Sequence, residues 1–157
     1  MKIQCISAEY RGAVNKILKD EWNCPPSVSR GKAIDTTILP GFISLSDNKI
    51  SGVITYNIEG HECEIVTLNS LEENKGIGTA LINAAVAVAK ENGCHRLWLI
   101  TTNDDIGAIR FYQRKGFDLA AAYINAIEKA REIKPSIPLI GMNNISIKHE
   151  LEFEIKL

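Results

Sequence analysis

Apolar and polar positions alternate, cluster or recur at helical spacing in an order that divides the chain into elements. "KIQCI" near the start reads as a short strand. Ser7 can cap a helix running to about Trp22, with Val14, Ile17 and Leu18 at helical spacing. "NCPPSVSRGKAIDTT" follows, with adjacent prolines and small polar residues, and at least its start must be loop. "GFISLS" and "KISGVITYNI" are strand candidates separated by "DN", and "NIEGHE" turns the chain again before "CEIVTLNSL". These hairpin signals predict an antiparallel meander.

After residue 76 the period changes. "TALINAAVAVAKENG" predicts a helix with Leu81, Ile82, Ala85, Val86 and Ala89 inward and Gly93 past its end. "RLWLITT" is a continuous apolar run, the mark of a strand buried on both faces. "DIGAIRFYQRKG" predicts a helix stopped by Gly116, "FDLAAAYI" a strand, and "NAIEKAREIK" a short amphipathic helix ending before Pro135. In "ISIKHELEFEIKL" Ile145, Ile147, Leu151, Phe153, Ile155 and Leu157 share one face, while Ser146, Lys148, Glu150, Glu152, Glu154 and Lys156 share the other. That alternation predicts a half-buried last strand. His149 interrupts its apolar face, either as a packed histidine or as a group near a bound substrate. The fold class expected is α/β (α+β): a meander, then strand–helix–strand–helix–strand, then a final strand.

Composition adds bounds. With 157 residues, 45% apolar and 24% charged, residues 1–157 are expected to form one globular domain. A formal charge of −1 offers no bulk field for nucleic acid or an anionic membrane. "MKIQCISAEY" has no apolar signal core, and the longest apolar run carries Asn83 and ends at Lys90, so a cytoplasmic protein is expected. Cys5, Cys24, Cys63 and Cys94 are far apart and read as free thiols. "HECE" at 61–64 places His61 and Cys63 opposite Glu62 and Glu64 in a strand, which does not make a zinc site, and no metal is expected.

Candidate chemistry centres on "EENKGIGTALI". Gly76, Ile77, Gly78 and Thr79 would present free N–H groups at a helix N-terminus, an anion cradle suited to phosphate. No Lys-Ser/Thr follows the glycines, which excludes a Walker loop, and Leu81 stands where a dinucleotide fingerprint needs a third small residue. On turn chemistry alone the loop could equally be a tight strand-to-helix turn.

A second stretch adds weight. "ENKGIG", residues 73–78, and "TTNDDIGAIRFYQRKGF", residues 101–117, resemble the two signatures of the GNAT superfamily of acyl-coenzyme A dependent N-acetyltransferases. The first follows Gln/Arg-x-x-Gly-x-Gly/Ala except at Glu73; in the second, Ala108, Phe111, Tyr112, Gly116 and Phe117 match, and the family's asparagine falls at Asp105 or, with shifted spacing, Asn103. Both motifs, in order, lie within residues 60–118.

The resemblance implies a GNAT fold with a mixed central sheet, and transfer of the acetyl group of acetyl-CoA to a primary amine of a small molecule or peptide. It implies that the coenzyme arm lies along "EIVTLNSL", bonded by backbone groups near Leu68. The pyrophosphate would rest on Lys75, Gly76, Ile77, Gly78 and Thr79, with Asn103, Ala108 and Tyr112 completing the coenzyme site. Glu73 would repel phosphate, and Lys75 can offset it. Tyr112 falls at the tyrosine that donates a proton to the departing sulfur, and Glu64, or else Glu62, could serve as base. A loop at 23–37 and the insertion at 122–144 could complete the acceptor pocket. Exposed strand edges allow a homodimer. The readings that compete are a non-catalytic acyl-CoA-binding sensor and a nucleotide-binding protein of another fold.

Overall fold

A computed structural model describes residues 1–157. The meander is present as β4 (Gly41–Ser46), β5 (Lys49–Glu59) and β6 (Glu62–Ser70), preceded by β1 (Lys2–Cys5) and α1 (Ala8–Trp22). Two further strands, β2 (Ser27–Ser29) and β3 (Lys32–Ile34), pair with each other in the stretch expected to open as loop. The second half runs α2 (Ile77–Glu91), β7 (Arg96–Thr102), α3 (Ile106–Arg114), β8 (Asp118–Tyr123), α4 (Ala126–Ile133) and β9 (Glu150–Lys156). The seven-stranded sheet has the order β1-β4-β5-β6-β7-β9-β8 and is antiparallel except between β6 and β7.

Helices cover both faces of this sheet. On one, α2 inserts Ile77, Leu81, Ile82, Ala85 and Ala89 against Ile54, Cys63, Ile65, Leu97, Leu99 and Phe153. On the other, Val14 and Leu18 of α1 meet Ile43, Leu45 and Val53. Gly52 lets α2 approach the sheet, since an added Cβ would lie 2.5 Å from Ile77, and Gly41 lets β4 run close to β5, since an added Cβ would lie 2.0 Å from the Ile54 carbonyl. A third cluster joins Ile127 and Ala130 of α4 to Ile147, with Val28 and Ile137 packed on it.

The last strand differs from expectation. It begins at Glu150, not near Ile145, and its polar face is not a solvent face. Glu150 and Glu152 are 2% and 4% exposed. The β2–β3 hairpin covers them. It turns on Arg30 and Gly31, both at positive φ (52° and 76°), the geometry of a two-residue hairpin loop. Arg30 is an unusual residue for that backbone, but its side chain is held. The guanidinium lies 5.3 Å from the Trp98 ring and 5.5 Å from the Tyr123 ring, and 3.6 Å from Glu152. Residues 145–149 instead lead into the strand under a clasp. Asn103 Oδ1 accepts from the Lys148 and His149 amides at 2.9 Å each, and Asn103 Nδ2 donates to the Ser146 carbonyl.

Candidate active site

The site begins with a change of register. Only Glu62–Ile65 of β6 pairs with β7, opposite Arg96–Leu99, although both strands continue, β6 to Ser70 and β7 to Thr102. Between Thr55↔Thr67 and Tyr56↔Ile65 the β5–β6 ladder skips Val66, a β-bulge. Past the bulge β6 and β7 part, leaving the backbone of 66–68 unpaired on its β7 side. A cavity of about 690 Å³ fills this cleft, with Glu64–Leu68 on one side and Leu99–Thr102 on the other. Asp105, which caps α3, and Ala108 and Tyr112 of that helix close one flank; the end of α1, β2, α4 and the segment at 136–147 close the other.

The bulge also corrects a simple alternation. Strand period alone puts Glu64, Val66 and Leu68 on one face. With Val66 unpaired, Leu68 packs with the α2 core while Glu64 faces the α1 and hairpin side. Leu68 remains at the cavity through the unpaired strand edge.

Glu64 is 7% exposed and lines the cavity. Burial is the main cause that raises its carboxyl to about 7; Ser29 and Arg30 oppose the rise, and Glu59 and Glu150 add to it. The Ser29 hydroxyl sits near Glu64 without reaching hydrogen-bond geometry and is left without a partner. Tyr112 is buried, in edge contact with Phe111 and Phe117 at 5.3 and 5.4 Å. Burial first, and Asp105 second, push its phenol well above the usual range, so it stays protonated.

The glycine loop lies outside the cavity lining, at the far end of β6. Gly76 is the N-cap of α2 at φ 73°, with no side-chain cap and nothing within 4 Å of an added Cβ. Its carbonyl accepts from Ala80 at 3.0 Å, and the N–H groups of Ile77, Gly78 and Thr79 belong to the first turn, which has no intrahelical acceptor. Gly78 has another reason: an added Cβ would sit 3.1 Å from the Phe111 ring, so it sets the approach of α2 to α3. Lys75 points to Glu72 at 2.7 Å, an exposed pair within the loop, and Glu73 is exposed. These donors and the open space over Gly76 fit a phosphate group.

Other expected residues are placed differently. The Asn103 amide is committed to 146–149, away from the cavity. Asp105 takes the capping position, accepting from the Ala108 amide at 3.0 Å, and lines the cavity. His149 Nδ1 accepts from the Asn125 amide at 2.9 Å and anchors the start of α4. Glu62 binds Arg96 at 2.7 Å outside the cavity. Burial works against the Arg96 charge, but Glu152, Glu62 and Glu154 together outweigh it and raise its affinity for the proton.

Sequence reasoning missed Glu150. It lines the cavity, and burial raises its carboxyl despite the Arg30 amide, which donates to Oε1 at 3.3 Å, and the Arg30 charge. No local pattern marks it: its burial follows from the long-range pairing Thr102↔Glu150 and from the hairpin that covers it.

The cavity wall opposite α3 is tied together. Lys134 Nζ donates to the carbonyls of Trp22 (2.9 Å) and Pro26 (2.8 Å). Arg131 reaches the carbonyls of Pro138 and Ile147 at 2.8 Å, and Asp104 accepts from the Met142 amide at 2.9 Å.

Comparison with known proteins agrees with this architecture. The family model described as acetyltransferase (GNAT) family matches residues 14–117. YdhI of Bacillus subtilis (strain 168), an uncharacterised protein, is 44% identical over 133 residues, 84% of this chain and 83% of its own. YxbD of the same organism, also uncharacterised, is 42% identical over 139 residues, 88% and 87% of the two chains. Among solved structures, an IAA acetyltransferase from Bacillus cereus ATCC 14579 superposes with a TM-score of 0.77 at 22% identity, covering 99% of each chain. A GNAT family acetyltransferase from Elizabethkingia anophelis with acetyl-CoA bound gives 0.71 at 18%, covering 99% of this chain and 97% of its own. With the splayed strands, the α2 cradle and a matched span of this length, the chain belongs to the acetyltransferase (GNAT) family.

Proposed function

We propose that the chain transfers the acetyl group of acetyl-CoA to the amino group of an acceptor bound beside Glu64. The observation that carries this reading is the cleft between β6 and β7, with a buried carboxylate at its closed end and the α2 N-terminus beyond its open end. An extended amide arm can bond the unpaired edge at 66–68 as an added strand would. The amides of 77–79 hold the pyrophosphate, helped by the helix dipole. Acetyl-CoA supplies a thioester, a carbonyl activated toward an amine nucleophile.

The chain's own residues move the protons. An ammonium acceptor gives one proton to the Glu64 carboxylate, directly or through one water, and its lone pair becomes free to attack. A carboxyl near 7 is well matched to this step at neutral pH. As the C–N bond forms, negative charge grows on the carbonyl oxygen, and a β6 backbone N–H beside the bulge stabilises it. The C–S bond then breaks, and the Tyr112 phenol donates to the departing sulfur. The amide nitrogen's remaining extra proton returns through water to Tyr112, and Glu64 gives its proton to solvent as the products leave. The products are an acetylated amine and a free thiol.

Calorimetric titration with coenzyme A and acetyl-CoA, with ATP and NAD as controls, tests the binding half, and thiol release over a panel of amines tests the transfer half. Saturable binding of the coenzymes alone, followed by amine-dependent thiol release, is expected. Absence of coenzyme binding sinks the reading. Binding without thiol release on any amine would make the chain an acyl-CoA sensor.

A further inference from the structure

The acceptor end of the cavity is acidic and still has hydrogen-bonding capacity. Asp20, Glu21, Glu64, Asp104, Asp105 and Glu150 line the cavity, against Lys134 as its lining cation. Several of these charges already have partners. Asp20 pairs with Lys16 at 2.8 Å, Asp105 caps α3, Asp104 holds the Met142 amide, and Lys134 serves two carbonyls. Glu64 and Glu150, 7% and 2% exposed, remain turned to the cavity. Arg30, the guanidinium beside them, is shared with Glu152. An independent feature points the same way: the Ser29 hydroxyl, 7% exposed on the same wall, has no hydrogen-bond partner.

The remaining wall is hydrocarbon. Val28, Ile127, Ala130, Ile137 and Ile147 form the third apolar cluster, and all five line the cavity. A ligand that satisfies this lining carries positive charge at two points and methylene groups between them. A carboxylate on the acceptor, as in a free amino acid, would enter an acidic field.

We propose that the acceptor is a small α,ω-diamine, its reacting nitrogen at Glu64 beside the Ser29 hydroxyl, its second ammonium held by Glu150, and its hydrocarbon chain on the Val28–Ile127–Ile147 wall. This deepens the transfer reading given above and rests on it for the role of Glu64. Glu150 is then a residue that selects the acceptor rather than one that moves protons.

The test measures binding before turnover. The parent, Glu150→Gln and Glu154→Gln are titrated calorimetrically, in saturating coenzyme A, with 1,4-diaminobutane, 1,5-diaminopentane, butylamine and a peptide beginning with alanine. Glutamine at 150 keeps an acceptor for the Arg30 amide, so the wall is preserved. A charge-assisted hydrogen bond corresponds to about a 10- to 100-fold change in affinity. The parent is expected to bind one or both diamines at least about tenfold more tightly than butylamine. Glu150→Gln should erase that preference, and Glu154→Gln, whose carboxylate faces Arg96 outside the cavity, should keep it. Equal affinity for diamine and monoamine, a preference that survives Glu150→Gln, or tighter binding of the peptide would each overturn the assignment. The two readings separate cleanly. Thiol release with the peptide but not with diamines removes this inference and leaves acetyl transfer standing. Diamine binding that depends on Glu150 without thiol release keeps the diamine site and removes transfer, and with it the acceptor role.

Discussion

Glu64 carries the most consequences of any single residue. If its carboxylate is the base, kcat/KM rises as pH passes about 7, and Glu64→Gln loses both that limb and about 100-fold or more of the turnover. A stability effect of opposite benefit accompanies it. Burial raises this carboxyl above its unfolded value of 4.5, so the native state holds the proton more tightly than the unfolded chain. The group's favourable contribution is fully present below pH 4.5 and is lost as pH rises through about 7. Glu64→Gln should therefore be more stable than the parent at pH 8, by up to about 3 kcal/mol, and the gap should close at pH 4.5; urea unfolding at the two pH values reads it. Tyr112→Phe keeps the edge contacts with Phe111 and Phe117 and should lower turnover while leaving acetyl-CoA affinity unchanged, a split that steady-state kinetics resolves. That candidates of this kind lie at the cavity was partly legible in the sequence. Glu64 and Tyr112 follow from a strand, a motif and their chemistry. Asn103 and Glu150 do not, because a side chain's partner 43 or more residues away leaves no local pattern.

Among elements, those with a strong period were legible in the sequence: the meander, α2, β7 and α3 all stand where the hydrophobic pattern puts them. The β2–β3 hairpin was not. Each strand has three residues, too short for a period to show, and although Gly31 suits the turn, its first position is held by Arg30 stacking on Trp98 and Tyr123 rather than by a typical turn residue. The last strand misled for a related reason. Alternation distinguishes two faces but does not say what covers each, and here the hairpin covers the charged one. The loop before α2 invites a sharper test. Gly76→Asp meets no steric obstacle at Cβ, yet brings a carboxylate to the cradle and strains a backbone at φ 73°. Coenzyme A affinity should fall about tenfold or more, measured by calorimetry on protein whose circular dichroism matches the parent. Gly78→Ala should instead lower the melting temperature, since the new methyl presses on Phe111.

Over the whole molecule, charge is arranged by layers rather than by net value. A chain with formal charge −1 concentrates Glu62, Glu64, Glu150, Glu152 and Glu154 on one sheet face and answers them with Arg30 and Arg96. Removing one of those cations should be felt across the group. Arg30→Met takes away a charge that lowers both Glu64 and Glu150, so the pH limb of kcat/KM should move above 7; an unmoved limb would show that Glu64 is not the group titrating. Composition cannot reveal such layering, because it follows from which strands become neighbours. The wall formed by residues 134–149 has a further consequence. Lys134, Arg131, Asp104 and Asn103 clasp it at both ends and through its middle. A segment fastened in this way is a jamb, not a door. The acceptor should therefore dock in a single bimolecular step, with an observed rate linear in its concentration and no slow isomerisation trailing behind it, and selection among amines should be made by fit to a standing shape.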